Sequence, residues 1–320
     1  MQYPSPDPQH FARAVTQLGE RRPVVARTPI YNAQGLKVLD KGVVVDARLY
    51  ERLVQHQLRT TLAESLDSEA PVNSQVLRDE ALALCRQDRL YAAMRDSLRD
   101  ASLLFDELAL LPLPRPLAFQ LTVMREVRPE LWQHALRSAV AAAWLGARAG
   151  ASRYDMRMLA AAGLLHDIGM LHLDPVLLAP QQPLTAEQRR QLYAHPLVSV
   201  MWLEQHHELP RELLQAVMQH HEALDGSGYP RNLVGAEVSA WGRILALTEV
   251  VTSLPAAEAQ APMLRLSLVL RMNAARFDAT LVREMLALLQ PLREAPPPPP
   301  SWHPVQALRE VDGMLLGWRG

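Results

Sequence analysis

Apolar residues at helical spacing fill residues 117–289, and this pattern constrains the fold more than any other feature of the chain. Amphipathic helices repeat their apolar residues about every three to four positions, and here short breakers separate one such stretch from the next. Prolines among residues 111–116 end the pattern that precedes this region, because proline disrupts a helix interior. Residues 117–290 are therefore predicted to form an all-α domain.

Residues 1–73 have a different pattern. Between residues 23 and 45, Val, Ile, Tyr and Leu surround two turn signals, at 32–35 and 40–42, whose glycines can supply the positive φ that such turns need. Asp46 is a candidate cap for a helix that follows. We predict a small α+β module of two or three short strands and a helix, with a regulatory role as one hypothesis, and a polar linker at 64–73.

The remaining segments are predicted to connect or extend these domains. Residues 74–116 form a helical linker in this interpretation, with one or two amphipathic helices up to residue 110. Such helices join domains or mediate dimerisation, so a homodimer or a signalling partner protein is expected. Residues 291–320 contain five consecutive prolines, which favour an extended spacer, and a tail with a last short helix at 305–316.

Composition excludes several classes of function. The chain has 320 residues, 49% of them apolar and 21% charged, and its formal net charge is -1. A near-neutral protein has no overall attraction for nucleic-acid polymers or acidic membranes. Cys85 is the single cysteine, which rules out an intramolecular disulfide and fits a reducing compartment. With neither a signal-peptide pattern nor an apolar run of about 18 residues, a cytoplasmic location is expected.

The first candidate site lies at the end of an apolar helix predicted at 156–165. His166 and Asp167 follow it directly, at the end of a stretch that should be buried. An unpaired buried carboxylate costs several kcal/mol, and a bound metal would offset that cost. Neutral imidazole and carboxylate suit Mn, Fe or Zn. The alternative is a helix-terminal histidine with a capping aspartate.

Further histidines end or begin other predicted helices. His195 starts a helix that continues to residue 203. His220 and His221 close a helix at 211–219, and a tight turn with two glycines follows at 225–230. Neighbouring side chains project about 100° apart on a helix, so the pair could serve two metals or flank one. The alternative is a set of exposed helix-terminal histidines.

Glu130 and His134 lie four residues apart upstream of this region. On a helix this spacing places both on one face, as a metal-binding pair can be. The same spacing is also frequent by chance.

In their order along the chain, these residues resemble the HD-GYP subgroup of the HD-superfamily phosphohydrolases. The resemblance covers about residues 117–289 and rests on His134, His166-Asp167, His195, His220-His221-Glu222 and the turn that contains Gly228-Tyr229-Pro230. It also includes residues 184–187, 243–246 and 277–278. The family implies a helical bundle that holds two or three divalent ions, usually iron or manganese. It also implies hydrolysis of cyclic di-GMP or a related nucleotide in bacterial second-messenger signalling.

The resemblance also implies roles for individual residues. Asp167 would bridge two ions and, with His166, form the catalytic pair, and the substrate would contact Gly228, Tyr229 and Pro230. The implied metal ligands are His134, His166, Asp167, His195, His220, His221 and Glu249, with Glu130 as the extra carboxylate of the three-metal variety.

Three positions depart from the family pattern. Met170 stands where a lysine usually faces the phosphate, Glu249 replaces a shorter aspartate, and Glu258 falls where basic residues are common. All three positions concern phosphate or nucleotide binding, whereas every histidine ligand of the family pattern is present. Two alternatives to a cyclic di-GMP phosphodiesterase follow: a catalytically impaired signalling module that binds nucleotide or a protein partner, and a phosphohydrolase for another nucleotide.

Overall fold

The computed structural model describes residues 8–178, 183–206, 208–253 and 262–292. Glu258 and the predicted spacer and tail beyond residue 292 lie outside the described residues. The helices are α1 (Pro8–Gly19), α2 (Tyr50–Val54), α3 (Leu62–Ser65), α4 (Ser74–Gln87), α5 (Arg89–Asp96), α6 (Leu103–Ala109), α7 (Arg115–Val127), α8 (Pro129–Arg148), α9 (Arg153–Leu165), α10 (Ala186–Tyr193), α11 (His195–Leu203), α12 (Arg211–Gln219), α13 (Ala240–Ser253), α14 (Pro262–Met272) and α15 (Ala279–Leu292). The strands are β1 (Val24–Ala26), β2 (Ile30–Tyr31), β3 (Lys37–Leu39) and β4 (Leu66–Ser68).

The N-terminal part is the expected small α+β module. β1 pairs antiparallel with β4, and β2 pairs antiparallel with β3. The two predicted turns are present, with Gly35 at φ 85° and Gly42 at φ 82°. Because β4 lies within residues 64–73, the prediction of a linker there was wrong. Leu66 and Ser68 are buried on one face of β4, and such a short strand carries too few residues for a periodic signal.

Helix α1 was not predicted, and it connects the module to the rest of the protein. It packs against α2, α7 and the 3-10 turn Ile168–His172, which we call the 168–172 turn. Phe11, Val15 and Leu18 of α1 are buried in the same hydrophobic core as the helices that follow. The module and the helical domain therefore share one core.

Residues 74–110 contain α4, α5 and α6, rather than the one or two helices that were predicted. Asp88 separates the first two, because its side chain accepts a hydrogen bond from Leu90 N at 2.8 Å and starts a new helix. These helices pack on α8, α9 and α15. Glu107 of α6 is fully buried between Arg153 and Arg157 of α9, at 2.7 and 2.8 Å. The segment is thus built into the helical body.

The helical domain is all-α, as predicted, and α8, α9, α11, α12 and α13 form its centre. α8 packs along α9, where Gly163 lies so close to the backbone of Ser138 that a Cβ would overlap it. α13 packs on α8 and α12, and α11 packs on α12 and the 168–172 turn. These contacts bring one end or face of each of the five helices to a common point. Among the described helices, none has the length and apolar character needed to cross a bilayer.

Candidate metal centre

Polar side chains from five helices meet at this point in the core. They are His134 on α8, His166 and Asp167 at the end of α9, His195 at the start of α11, His220 and His221 at the end of α12, and Glu249 on α13. His134 and Glu249 are partly buried, and the others are buried. Apolar packing of the helices therefore fixes the positions of the imidazoles and carboxylates.

The candidate ligands form two groups that share Asp167. In the first group, Asp167, His195, His220 and His221 each offer a ligand atom, and these atoms lie within 4.8 Å of one another. His134, His166 and Asp167 form the second group by the same measure.

Each oxygen of Asp167 faces a different group. Oδ1 lies 3.2 Å from His195 Nε2 and 3.6 Å from His220 Nε2. Oδ2 lies 3.4 Å from His166 Nε2 and 3.7 Å from His134 Nε2. A carboxylate in this position can bridge two cations.

Glu249 reaches the second group, although it is one methylene longer than the aspartate of the family pattern. Its Oε2 lies 3.1 Å from His134 Nε2 and 3.4 Å from His166 Nε2. Glu130 does not join either group, and its side chain is exposed in the first turn of α8. Its role as an additional ligand stays a prediction.

Backbone carbonyls orient three of the imidazoles. Nδ1 of His166, of His195 and of His220 lies 2.8, 2.7 and 2.6 Å from a carbonyl oxygen three residues earlier in the chain. A carbonyl oxygen only accepts hydrogen bonds, so each Nδ1 carries a proton and donates it. With the proton on Nδ1, the nitrogen left to bind a metal is Nε2, which points into the centre, and this is the arrangement of a metal-ligating histidine.

The packing of the Nε2 atoms fits a bound cation. His195 Nε2 lies 3.0 Å from His220 Nε2 and 3.1 Å from His221 Nε2, and His134 Nε2 lies 3.1 Å from His166 Nε2. Facing lone pairs repel at such distances unless a proton or a metal lies between them. Asp167 Oδ1 is also buried and accepts no hydrogen bond from the described residues. Both observations fit divalent ions held by nitrogen and oxygen ligands.

The charges of the buried groups favour a cation as well. Burial opposes ionisation of Asp167 and Glu249, but the surrounding histidines outweigh it and hold the pKa of both carboxyls well below the usual range. Burial lowers the pKa of His220 to about 4. It also tends to lower the pKa of His166, but Asp167 and Glu249 raise that pKa to about 10. The carboxylates thus place negative charge in the core, next to nitrogen donors.

The turn at 225–230 packs against the His220-His221 pair. Gly228 is buried where a Cβ would overlap the backbone of Glu222 and Ala223, which explains the need for glycine. Tyr229 N donates to the carbonyl oxygen of His221 at 3.1 Å. The Tyr229 ring stacks on the imidazole of His221, with centroids 4.6 Å apart. The predicted substrate contacts of Gly228, Tyr229 and Pro230 stay predictions, and the observed contacts of the turn support the ligands.

Glu222 holds this turn in place. It is buried, and its carboxylate accepts hydrogen bonds from Arg231 N at 2.7 Å and Leu233 N at 2.9 Å. The triplet His220-His221-Glu222 therefore combines two candidate ligands with the anchor of the loop that covers them.

Sequence reasoning missed two neighbours of the centre. Tyr193 stacks on Tyr229 at 4.4 Å, and the signal for it was an aromatic residue two positions before His195. Gly169 is buried against α11, where a Cβ would lie 2.6 Å from Ser199 N.

Met170 is buried in the hydrophobic core, so this position contributes packing instead of a positive charge.

The chain is similar to one protein family and to several known proteins. A family model described as "HD domain" matches residues 121–281, half of the chain. The cyclic di-GMP phosphodiesterase PdeB of Borreliella burgdorferi is 28% identical over 35% of this chain and 29% of its own length. The cyclic di-GMP phosphodiesterase response regulator RpfG of Xanthomonas campestris pv. campestris is 35% identical over 33% of this chain and 28% of its own.

A third relative differs in the nucleotide it is named for. The 3'3'-cGAMP-specific phosphodiesterase 3 of Vibrio cholerae serotype O1 is 32% identical over 38% of this chain and 26% of its own length. The chain thus spans less than a third of the length of each of these three relatives.

Proposed function

This chain belongs to the HD-domain family, and on that premise we propose that it is a metal-dependent phosphodiesterase that hydrolyses a cyclic dinucleotide, with cyclic di-GMP as the first candidate. The observation that carries the proposal is the pair of ligand groups that share the two oxygens of Asp167. The relatives named for cyclic di-GMP and 3'3'-cGAMP support this substrate class.

We propose two divalent ions, iron or manganese, one in each group. When bound, such ions supply an activated water and neutralise charge on the attacked phosphate. Asp167 would hold both sites at a fixed separation, and Glu249 would complete the second group. The carbonyl oxygens that accept from the Nδ1 atoms keep the Nε2 atoms of these imidazoles aimed inward. Addition of water across one phosphodiester bond would open the cyclic dinucleotide to its linear form.

The departures from the family pattern shape what we expect of substrate binding. Met170 is uncharged and buried, so the phosphate would depend more strongly on the ions than in relatives with a lysine there. The regulatory role of residues 1–73, the predicted domain bounds, a homodimer or partner protein and a cytoplasmic location also stay proposals.

A cleavage assay tests the proposal directly. Protein loaded with Mn²⁺ or Fe²⁺ is incubated with cyclic di-GMP, 3'3'-cGAMP or cyclic di-AMP, and linear products are separated by chromatography while the metal content of the same preparation is measured. We expect linear product from cyclic di-GMP and none from the Asp167→Asn variant. Fully metal-loaded protein that cleaves none of the three contradicts the proposal and supports the non-catalytic module. Cleavage of only another nucleotide reassigns the substrate.

The Met170→Lys variant separates impaired binding from a different function. If the missing positive charge limits phosphate binding, this variant should lower the KM for cyclic di-GMP. An unchanged KM with intact metal content would show that this position does not determine affinity.

A further inference from the structure

Three aromatic rings form a continuous stack beside the first ligand group. The ring of Tyr193 lies on that of Tyr229, with centroids 4.4 Å apart and planes inclined by 19°. Tyr229 lies in turn on the imidazole of His221, at 4.6 Å and 23°. It also meets His195 edge-on at 6.2 Å. Tyr193 is the partly exposed outer end of a stack whose inner end is a candidate ligand.

The same turn of chain also orients His195. Tyr193 is the last residue of α10, and the neighbouring Leu192 supplies the carbonyl oxygen that lies 2.7 Å from His195 Nδ1. Leu192 therefore orients His195 through its carbonyl oxygen, and the adjacent Tyr193 contacts Tyr229, which stacks on His221. The two ligands, His195 and His221, have their Nε2 atoms 3.1 Å apart.

We propose that Tyr193 is a positioning residue for metal binding, which fixes the ring plane of His221 through Tyr229. Flat rings in near-parallel contact restrict each other's rotation, and stacking stabilises aromatic pairs beyond the effect of their buried area. If Tyr193 is lost, Tyr229 gains room to tilt and the imidazole loses its fixed plane. In the second group, the rings of His134 and His166 contact each other and the carbonyl oxygen of Gly163 holds His166 Nδ1, so we expect this group to be less affected.

Tyr193 lends itself to a clean test because α10 has no buried residues. Substitution of Tyr193 should lower the free energy of unfolding only slightly. It should loosen His221, which is two ring contacts away. Outer partners of metal ligands typically contribute about 10–100-fold to affinity, and we expect a value of roughly tenfold for this indirect contact.

The experiment is a titration of metal-free protein with Mn²⁺, with free Mn²⁺ counted by electron paramagnetic resonance. Tyr193→Leu should weaken one of the two Mn²⁺ sites roughly tenfold, and Tyr193→Phe, which keeps the ring, should match the wild type. Tyr154→Leu is the matched control, since Tyr154 is an exposed tyrosine on α9. Wild-type affinity of Tyr193→Leu for both sites overturns the proposal. Equal weakening by Phe and Leu overturns it too, because the hydroxyl would then be responsible.

A second measurement separates positioning from folding. Protein saturated with Co²⁺ is compared by visible absorption, which reports ligand geometry at full occupancy, and the metal-free proteins are compared by thermal unfolding. A changed Co²⁺ spectrum for Tyr193→Leu, but not for Tyr193→Phe, supports the proposal; a lower Tm with an unchanged spectrum contradicts it. If the leucine variant does not fold, Tyr193→Met is measured with the same outcomes. No nucleotide is used, so the result is independent of the proposed phosphodiesterase activity.

Discussion

Among the described residues, buried histidines occur in two regions, the candidate metal centre and an aromatic site six residues beyond His166 in the chain. His172 ends the 168–172 turn, where it is 1% exposed. Its ring stacks on Trp202 at 4.3 Å and lies 4.8 Å from Phe11 of α1. The nearest polar partner with a described contact is Gln120, whose Oε1 lies 3.4 Å from Nε2.

The neighbours of the two regions give the same side chain opposite properties. Burial, and to a lesser extent the neighbouring His10, lowers the pKa of His172 to about 3, and no carboxylate of the described residues offsets this shift. His166 is equally buried, but Asp167 and Glu249 raise its pKa to about 10. Burial without a nearby carboxylate therefore favours a neutral histidine, whereas nearby carboxylates and converging Nε2 atoms provide a candidate site for cations.

The largest expected effect comes from the residue that defines the centre. Asp167→Asn removes the negative charge that both groups share, so we expect loss of both ions and a fall in hydrolysis of more than about a hundredfold, beyond the effect of an outer partner. Elemental analysis and the cleavage assay measure this. Asp79→Asn on the exposed face of α4 is the control. Unchanged metal content in Asp167→Asn would show that the two groups do not depend on this carboxylate.

Glu249→Gln should affect only one of the two groups. Glu249 contacts His134 and His166, so we expect the second ion to be lost while the first remains, which is about half of the bound metal. Glu249→Asp keeps the charge and should retain more metal than Glu249→Gln in elemental analysis after dialysis. Equal loss of both ions would mean that the groups bind cooperatively as one site.

The sequence predicted the elements that carry ligands because their patterns are local. The helix predicted at 156–165 lies within α9, and the helices predicted for 195–203 and 211–219 have the bounds of α11 and α12. The resemblance to the HD-GYP subgroup, which rests on the order of short motifs along the chain, indicated which residues would meet at the centre.

Contacts between distant segments could not be predicted. The ring of His172 contacts Phe11 and Trp202, which are far away in sequence. The residues that neighbour His172 in the chain therefore do not predict these contacts. Whether the longer side chain of Glu249 can reach His134 depends on the distance between α13 and α8. The sequence does not determine that distance to within the length of one methylene group. Tyr193 at the end of α10 stacks on Tyr229 of a turn that lies 36 residues further along the chain, and only the packed structure reveals this contact.

A pH titration of stability tests the aromatic region. The pKa of His172 is about 3 in the folded protein and near 6.5 when unfolded, so below pH 6.5 the unfolded chain binds a proton that the folded protein excludes. Stability is retained above pH 6.5 and falls as the pH drops towards 3. At pH 5 the loss from this group is about 2 kcal/mol.

His172→Phe should remove that part of the pH dependence and leave metal binding unchanged. Denaturant unfolding of metal-free wild type and variant at pH 8 and pH 5 isolates the difference, because every other histidine is common to both proteins. Parallel pH dependence in the two proteins would refute the contrast between the regions, as would loss of metal from the variant.

The smallest effect is expected at Glu130, a carboxylate close to a ligand in sequence but outside both groups. α8 begins at residue 129, so Glu130 lies in its exposed first turn, whereas His134 lies one turn further along and reaches the centre. Glu130→Gln should therefore keep the wild-type number of ions per chain in elemental analysis, with Glu249→Gln measured alongside as the carboxylate that matters. Loss of one ion from Glu130→Gln would instead support the three-metal arrangement, because the carboxylate would then have to turn inward when the ions bind.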